Sequence, residues 1–309
     1  MKKTGSSAAP FPPKAVMPKA SDIKSLLEWS RRELANLGKE EAGASAERLL
    51  EETLGLERTF LFLNAGDRVS GPKAADYRRL ILKRKARVPV AYLLRKAYFW
   101  DEVLEVRPGC LIPRPETEML VDTFIRRSGL RKQSVFSFLD LGTGSGAIGI
   151  ALLRYFPKAQ GTFSDISRKA LRITRLNLKN YGLLKRAETV CSDLFEKFEK
   201  PAGCKWDVIL SNPPYVAQSD LSKLEPELKL EPVLALDGGK GGLSFYRRIL
   251  RQAKRFLVPK GWLGFEVGAG QAPPVKALML KNGFKNPMIV KDYSGIPRVL
   301  MTRVEGIDG

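Results

Sequence analysis

The run Val135-Phe136-Ser137-Phe138-Leu139-Asp140-Leu141-Gly142-Thr143-Gly144-Ser145-Gly146 passes from an apolar strand into a glycine-rich turn. The residues up to Asp140 read as a buried strand, and Ala147 to Tyr155 reads as the helix behind the turn. Glycine at such a junction permits a tight turn and lets a ligand approach the main chain closely. The N-terminus of the following helix favours an anionic group. Dinucleotide binding is the first alternative, but the spacing here is Gly-x-Gly-x-Gly with an acidic residue just ahead of it.

Strands and helices alternate downstream of this turn. Thr162 to Asp165 is predicted as a second strand, Arg168 to Tyr181 as a helix, and Glu188 to Asp193 as a third strand. Residues 206–211 form a fourth, Leu243 to Leu257 a helix, and Gly261 to Val267 a fifth strand. Two more are expected near Met288-Ile289-Val290 and from Arg298 to Thr302. This order predicts an α/β fold with a mostly parallel, doubly wound sheet, whose ligands lie at the carboxyl ends of the strands. No internal repeat is visible.

Those strand ends carry ligand-type residues. Asp165 ends the second strand, where a carboxylate accepts both ribose hydroxyls of a nucleoside. Asp193 ends the third, within reach of an adenine amine; a helix cap is the competing role for either aspartate. After the fourth comes Ser211-Asn212-Pro213-Pro214-Tyr215. Consecutive prolines lack the N–H that a ladder needs, so the strand stops in a stiff turn. The turn presents an amide, carbonyls and a ring together, which suits a planar group bearing NH₂. Taken alone, it is also ordinary strand-ending punctuation.

Upstream the texture differs. Residues 21–88 read as a small helical domain. Ser21 is expected to cap a helix carrying Ile23, Leu26, Leu27 and Leu34 that ends at Gly38. A second helix holds Ala46, Leu49, Leu50 and Leu54 and stops at Gly55, with short helical pieces around Arg58–Leu63 and Lys73–Lys85. These leucines are expected to make the domain's own core. Residues 89–110 read as a β-hairpin linker, from Pro89 to Leu94 through Tyr98-Phe99-Trp100 and Val103 to Val106. Leu111-Ile112-Pro113-Arg114-Pro115-Glu116-Thr117-Glu118 then reads either as a helix-initiating loop or as a loop folded over an active site.

Composition excludes several classes. The chain of 309 residues is 44% hydrophobic and 28% charged, ordinary for a soluble protein of two domains or one with an appendage. No apolar run approaches the ~20 residues that span a bilayer. Residues 1–20 lack a continuous apolar stretch and read as a disordered tail. Cys110, Cys191 and Cys204 form no CxxC pair, which fits a reducing cytoplasm and argues against disulfides or a zinc site. Histidine is absent, so catalysis must do without imidazole and no metal is expected. The net charge of +20 points to an acidic or nucleic-acid partner, with denser clusters at Arg78 to Arg87 and Arg247 to Lys260.

These motifs together resemble the S-adenosylmethionine-dependent methyltransferases, and within them the HemK/PrmC family of peptide chain release factor N5-glutamine methyltransferases. The resemblance runs from about residue 21 to 303 and is carried by Pro89 to Leu93, Ile112 to Glu118, Asp140 to Gly149 and Ser211 to Val216. Glu231-Pro232 through Ala235-Leu236, Glu266-x-Gly268-x-x-Gln271 and Asp292-Tyr293 add to it. It implies a Rossmann-like methyltransferase domain over 111–309, behind the helical substrate-recognition domain. It also implies S-adenosyl-L-methionine held by Gly142, Thr143, Gly144, Ser145, Gly146 and Asp165, with adenine near Asp193 and Leu194, or stacked on Phe195. The implied substrate is the glutamine in the Gly-Gly-Gln loop of class I release factors. Asn212 and the Pro213 carbonyl would each accept one amide N–H, with Pro214 lining the substrate and Tyr215 packed on the amide plane; Asn212 would also touch the cofactor. A cytoplasmic monomer is expected. The rivals are a nucleic-acid N6-adenine methyltransferase, a ribosomal-protein N5-glutamine methyltransferase and a non-enzymatic RNA-binding relative.

Overall fold

The computed structural model describes residues 22–199 and 205–305. The expected tail at 1–20, Ser21 and Cys204 lie outside them. Two compact units divide between Ala86 and Arg87.

The first unit is helical: α1 (Ile23–Glu33), α2 (Lys39–Leu54), α3 (Arg58–Leu63) and α4 (Gly71–Lys85). Asp22 is the cap of α1, accepting a 2.7 Å bond from Ser25 N. The end of α2 at Gly55 is a left-handed residue, the backbone form glycine adopts without strain. The leucines do build a core, since Leu26, Leu34, Leu49, Leu50 and Leu61 are all fully buried. Tyr77 is buried among them, and its hydroxyl lies 2.7 Å from Ser30 Oγ.

The second unit begins with α5 (Val90–Leu94). The sequence places this run in the hairpin, but a short apolar run bounded by proline suits either structure, and here it closes one helical turn. The hairpin is narrower: β1 (Lys96–Phe99) and β2 (Glu102–Glu105). It is held within this unit, because Val103 N donates to Tyr181 Oη (2.7 Å) and Glu105 N to Asn177 Oδ1 (2.7 Å).

Next come α6 (Pro115–Arg127), β3 (Ser137–Leu141), α7 (Ala147–Tyr155), β4 (Gln160–Asp165), α8 (Arg168–Asn180), β5 (Ala187–Cys191) and β6 (Trp206–Ser211). The chain ends with α9 (Ser244–Gln252), β7 (Leu257–Glu266), α10 (Ala272–Lys281), β8 (Met288–Lys291) and β9 (Pro297–Arg303). The helix expected to reach Leu257 stops at Gln252, and a single 3₁₀ turn leads into β7.

One sheet orders these strands β5-β4-β3-β6-β7-β9-β8. The pairs from β5 to β7 are parallel, and β9 runs antiparallel to both β7 and β8. Apolar clusters built around Phe138 and Leu152 and around Ile209 and Phe265 bury its two faces. The chain moves outward from β3 to β5 and then returns to lay β6 against the other side of β3. The order therefore reverses between β3 and β6, and a crevice opens at that switch point. The glycine turn after β3 and Asn212 after β6 stand side by side on it.

Candidate active site

The glycine turn is shaped from below. Asp140 is fully buried, and its Oδ2 accepts from Thr143 Oγ1 (2.6 Å) and Gly149 N (3.0 Å). Burial pushes this carboxyl up to about 7, against the pull of those two bonds. Gly142 N and Thr143 N both donate to Ser164 O, tying the turn to β4. Gly142 and Gly144 have φ of 76° and 59°, and a Cβ on either would meet nothing within 4 Å. Their main chain is thus left open toward the pocket, which they line with Thr143 and Ser145. Gly146 does not line it; it caps α7, where a Cβ would lie 3.0 Å from Thr174.

Asp165 lines the same pocket. Its Oδ2 accepts from Gly144 N (2.9 Å) and its Oδ1 from Ser167 N (2.8 Å), so each oxygen keeps a free lone-pair direction. Burial raises its pKa against these bonds. Asp193 sits two residues beyond the end of β5 and caps no helix. Its Oδ2 instead accepts from Arg248 Nη2 of α9, and both residues line the pocket. Leu194 lines it too, in a left-handed backbone conformation (φ 49°). Phe195 does not: it is fully buried and stacked on Phe256, 4.6 Å between centroids and 3° between planes. Adenine stacking on Phe195 is therefore corrected; the aromatic ring at that wall is Phe245, which Arg248 covers at 5.7 Å.

Asn212, Pro213 and Pro214 line the same pocket, at the end of β6. Asn212 Nδ2 donates to Thr117 Oγ1 at 3.0 Å. Thr117 Oγ1 in turn donates to Glu266 Oε2, which lies at the end of β7 and is 1% exposed. Burial pushes Glu266 up to about 7; the bonds from Thr117 and Tyr215 pull it down, Glu116 pushes it up and Arg298 pulls it down. Among the described residues nothing donates to the Pro213 carbonyl.

Tyr215 departs from the expectation. Its ring does not line the pocket; its hydroxyl donates to Glu266 Oε1 at 3.2 Å and its body packs against the core under β7. The two prolines swing the chain so that this side chain turns inward. Gln271 then holds the turn from behind, donating to Tyr215 O (2.8 Å) and accepting from Gly268 N (3.1 Å). The Glu266-x-Gly268-x-x-Gln271 run is thus a cradle for the Asn-Pro-Pro-Tyr turn.

The Arg114–Glu118 run opens α6, and Pro113 and Thr117 line the pocket beside it. Pro115 opens α6, Glu118 accepts from Trp100 N (2.9 Å), and Arg114 pairs with Glu231. Glu231 also accepts from Ile112 N (3.0 Å), so one buried carboxylate fastens two loops beside the pocket. Sequence reasoning missed Glu266 as the partner of Thr117, and placed Arg248 only within the basic cluster from Arg247 to Lys260, with no part in the site. Glu266 had a signal, its place in a motif; Arg248 had none beyond its i,i+3 spacing from Phe245.

The reversed sheet, the open glycine turn and the acid at the neighbouring strand end define a Rossmann-like methyltransferase. Residues 115–226 match the methyltransferase small domain and residues 25–94 the PrmC N-terminal domain. The chain is similar to a methyltransferase from Pyrococcus furiosus, with a TM-score of 0.50 and 17% identity over 75% of this chain and 99% of that one, a likeness of fold. It is 37% identical to the release factor glutamine methyltransferase of Geobacter sulfurreducens, over 93% of this chain and 98% of that one. With its counterpart from Thermodesulfovibrio yellowstonii it shares 38% identity over 75% of this chain and 82% of that one. The chain belongs to the release factor glutamine methyltransferase family. No helix among the described residues is long and apolar enough to cross a membrane.

Proposed function

We propose that this chain transfers a methyl group from S-adenosyl-L-methionine to the side-chain amide nitrogen, N5, of the glutamine in the Gly-Gly-Gln loop of class I peptide chain release factors. The observation that supports this reading is that Asn212 and Pro213, with Asn212 Oδ1 and the Pro213 carbonyl unengaged among the described residues, line the same pocket as the glycine turn and Asp165. The residues present fit the cofactor: two open glycines offer main-chain contact, and Asp165 keeps an acceptor site on each oxygen for a pair of vicinal hydroxyls. Asp193 and Leu194 serve its adenine end.

S-adenosylmethionine, when bound, supplies a sulfonium-held methyl that is already electrophilic. An amide nitrogen is a poor nucleophile, because its lone pair is delocalised into the carbonyl. Asn212 and Pro213 address this by each accepting one N–H of the glutamine amide, which aims the nitrogen and stabilises the positive charge that grows on it. Leu111, Pro113, Pro232 and Leu234 line the pocket and exclude water. As the N–C bond forms, the S–CH₃ bond breaks and leaves a neutral thioether. The methylated nitrogen then gives up one of its two protons to solvent. No strong base is required before transfer, in keeping with a chain that lacks histidine.

The test offers a methyl-labelled donor with a release factor, with that factor lacking the glutamine, and with duplex DNA. Label confined to the first is expected. Label on DNA, or label that survives loss of the glutamine, overturns the reading.

A further inference from the structure

We propose that Thr117 and Glu266 are positioning residues that fix the polarity of the Asn212 amide, holding Oδ1 toward the pocket; the inference rests on the glutamine reading above. The argument counts protons. A threonine hydroxyl has one, and Thr117 gives it to Glu266 Oε2. Only lone pairs then remain on Oγ1, so the group facing it must donate, and Asn212 does so through Nδ2 at 3.0 Å. The amide is left with Oδ1 on its other side.

In its ionised form, above about pH 7, Glu266 has no proton to offer in return. Its second oxygen accepts from Tyr215 Oη at 3.2 Å, and its main-chain carbonyl accepts from Tyr246 Oη at 2.9 Å. Turning the Asn212 amide over would set Oδ1 against the Thr117 lone pairs and leave NH₂ facing the pocket. A substrate amide would then meet a donor with a donor. Rotating the Thr117 proton instead would strip Glu266 Oε2 of its partner in a site 1% exposed to solvent, a costly loss. The three residues come from separate places in the chain: the first turn of α6, the end of β7 and the residue after β6. Their meeting follows from the sheet order, which sets β6 beside β7.

Two readouts test this on the full chain. Thr117→Val keeps shape and removes the hydroxyl, whereas Thr117→Ser keeps the hydroxyl. In protein carrying ¹⁵N-asparagine, the side-chain NH₂ signal that Asn212→Asp abolishes should exchange slowly with solvent in wild type and Thr117→Ser, and fast in Thr117→Val. That measurement needs no acceptor, so it decides the relay even if release factors prove not to be the substrate. In turnover, Thr117→Val should lower kcat about a hundred-fold, the scale of a misaligned reacting group, with the dissociation constant for S-adenosylhomocysteine unchanged. Thr117→Ser should restore kcat. Slow exchange of the Asn212 amide in folded Thr117→Val, or wild-type kcat in that variant, overturns the proposal.

Discussion

Arg248 Nη2 lies 2.7 Å from Asp193 Oδ2, a bond that joins α9 to the segment after β5 at the wall of the pocket. Both side chains are partly solvated, so the pair adds about 1 kcal/mol or less to stability. Its weight lies in aiming the carboxylate. Arg248→Ala should leave the melting temperature nearly unchanged and weaken S-adenosylhomocysteine binding by about three- to ten-fold, the scale of one oriented hydrogen bond. Titration calorimetry of both single variants and the double variant checks this. The losses should not add, because the two residues act as one contact.

Asn212→Ala removes an acceptor from the pocket and leaves the glycine turn and Asp165 in place. Turnover should be abolished while cofactor affinity stays within about three-fold, because an interaction that orients the acceptor is lost and the cofactor's main contacts are not. Normal turnover by this variant would remove Asn212 from the site.

The Asn-Pro-Pro-Tyr turn has no room behind it. A Cβ on Gly238 would lie 2.7 Å from Tyr215 Cα and 2.8 Å from Pro214 O, both main-chain atoms that cannot swing aside. Gly238→Ala should push the turn toward the pocket, lowering kcat by about a hundred-fold. Circular dichroism should remain that of the wild type. A Gly238→Ala enzyme with normal kcat would show that the turn tolerates displacement.

Glu266 ties activity and stability to one proton. It faces Thr117, Tyr215 and Tyr246, with Glu116 and Arg298 as the nearby charges. Its folded pKa of about 7 lies above its ordinary value of 4.5. A carboxyl raised in this way binds its proton more tightly when folded, so its contribution to stability is fully present below the ordinary value and is lost as pH rises through about 7. The melting temperature of wild type relative to Glu266→Gln should therefore fall between about pH 5 and pH 8. Turnover should run the other way. Protonation gives Glu266 a hydrogen to donate and frees Thr117 from its fixed direction, so kcat should decline as pH drops through about 7. Glu266→Gln, with no charge to lose, should lack that limb.

Much of this molecule is written in its periodicity and its punctuation. The run into Gly146 gave away a strand and a turn because glycine is needed where φ turns positive, although the strand begins at Ser137 and Val135 is exposed, and Asn212 was marked by the prolines behind it. What stayed hidden depended on direction. Tyr215 follows the prolines in sequence, yet its ring turns inward, with its hydroxyl bonded to Glu266 and its main-chain carbonyl to Gln271, both more than fifty residues away. Phe195 neighbours a pocket residue and still faces Phe256. The run from Pro89 to Leu94 is apolar enough for either regular structure, and only its surroundings choose the helix.

The position of β7 in the sheet has a consequence for how this site can change over time. Glu266 pairs with Val299 of β9, while Phe265 beside it pairs with Ser211 of β6. Side chains alternate along a strand, so shortening β7 by a single residue would exchange the carboxylate for its apolar neighbour. Gly264 guards against that slip, since any side chain there would run into Leu210, Met301 and Leu120. A one-residue insertion or deletion in this strand would thus take the carboxylate away from Thr117 and Tyr215, even where a sheet would still form.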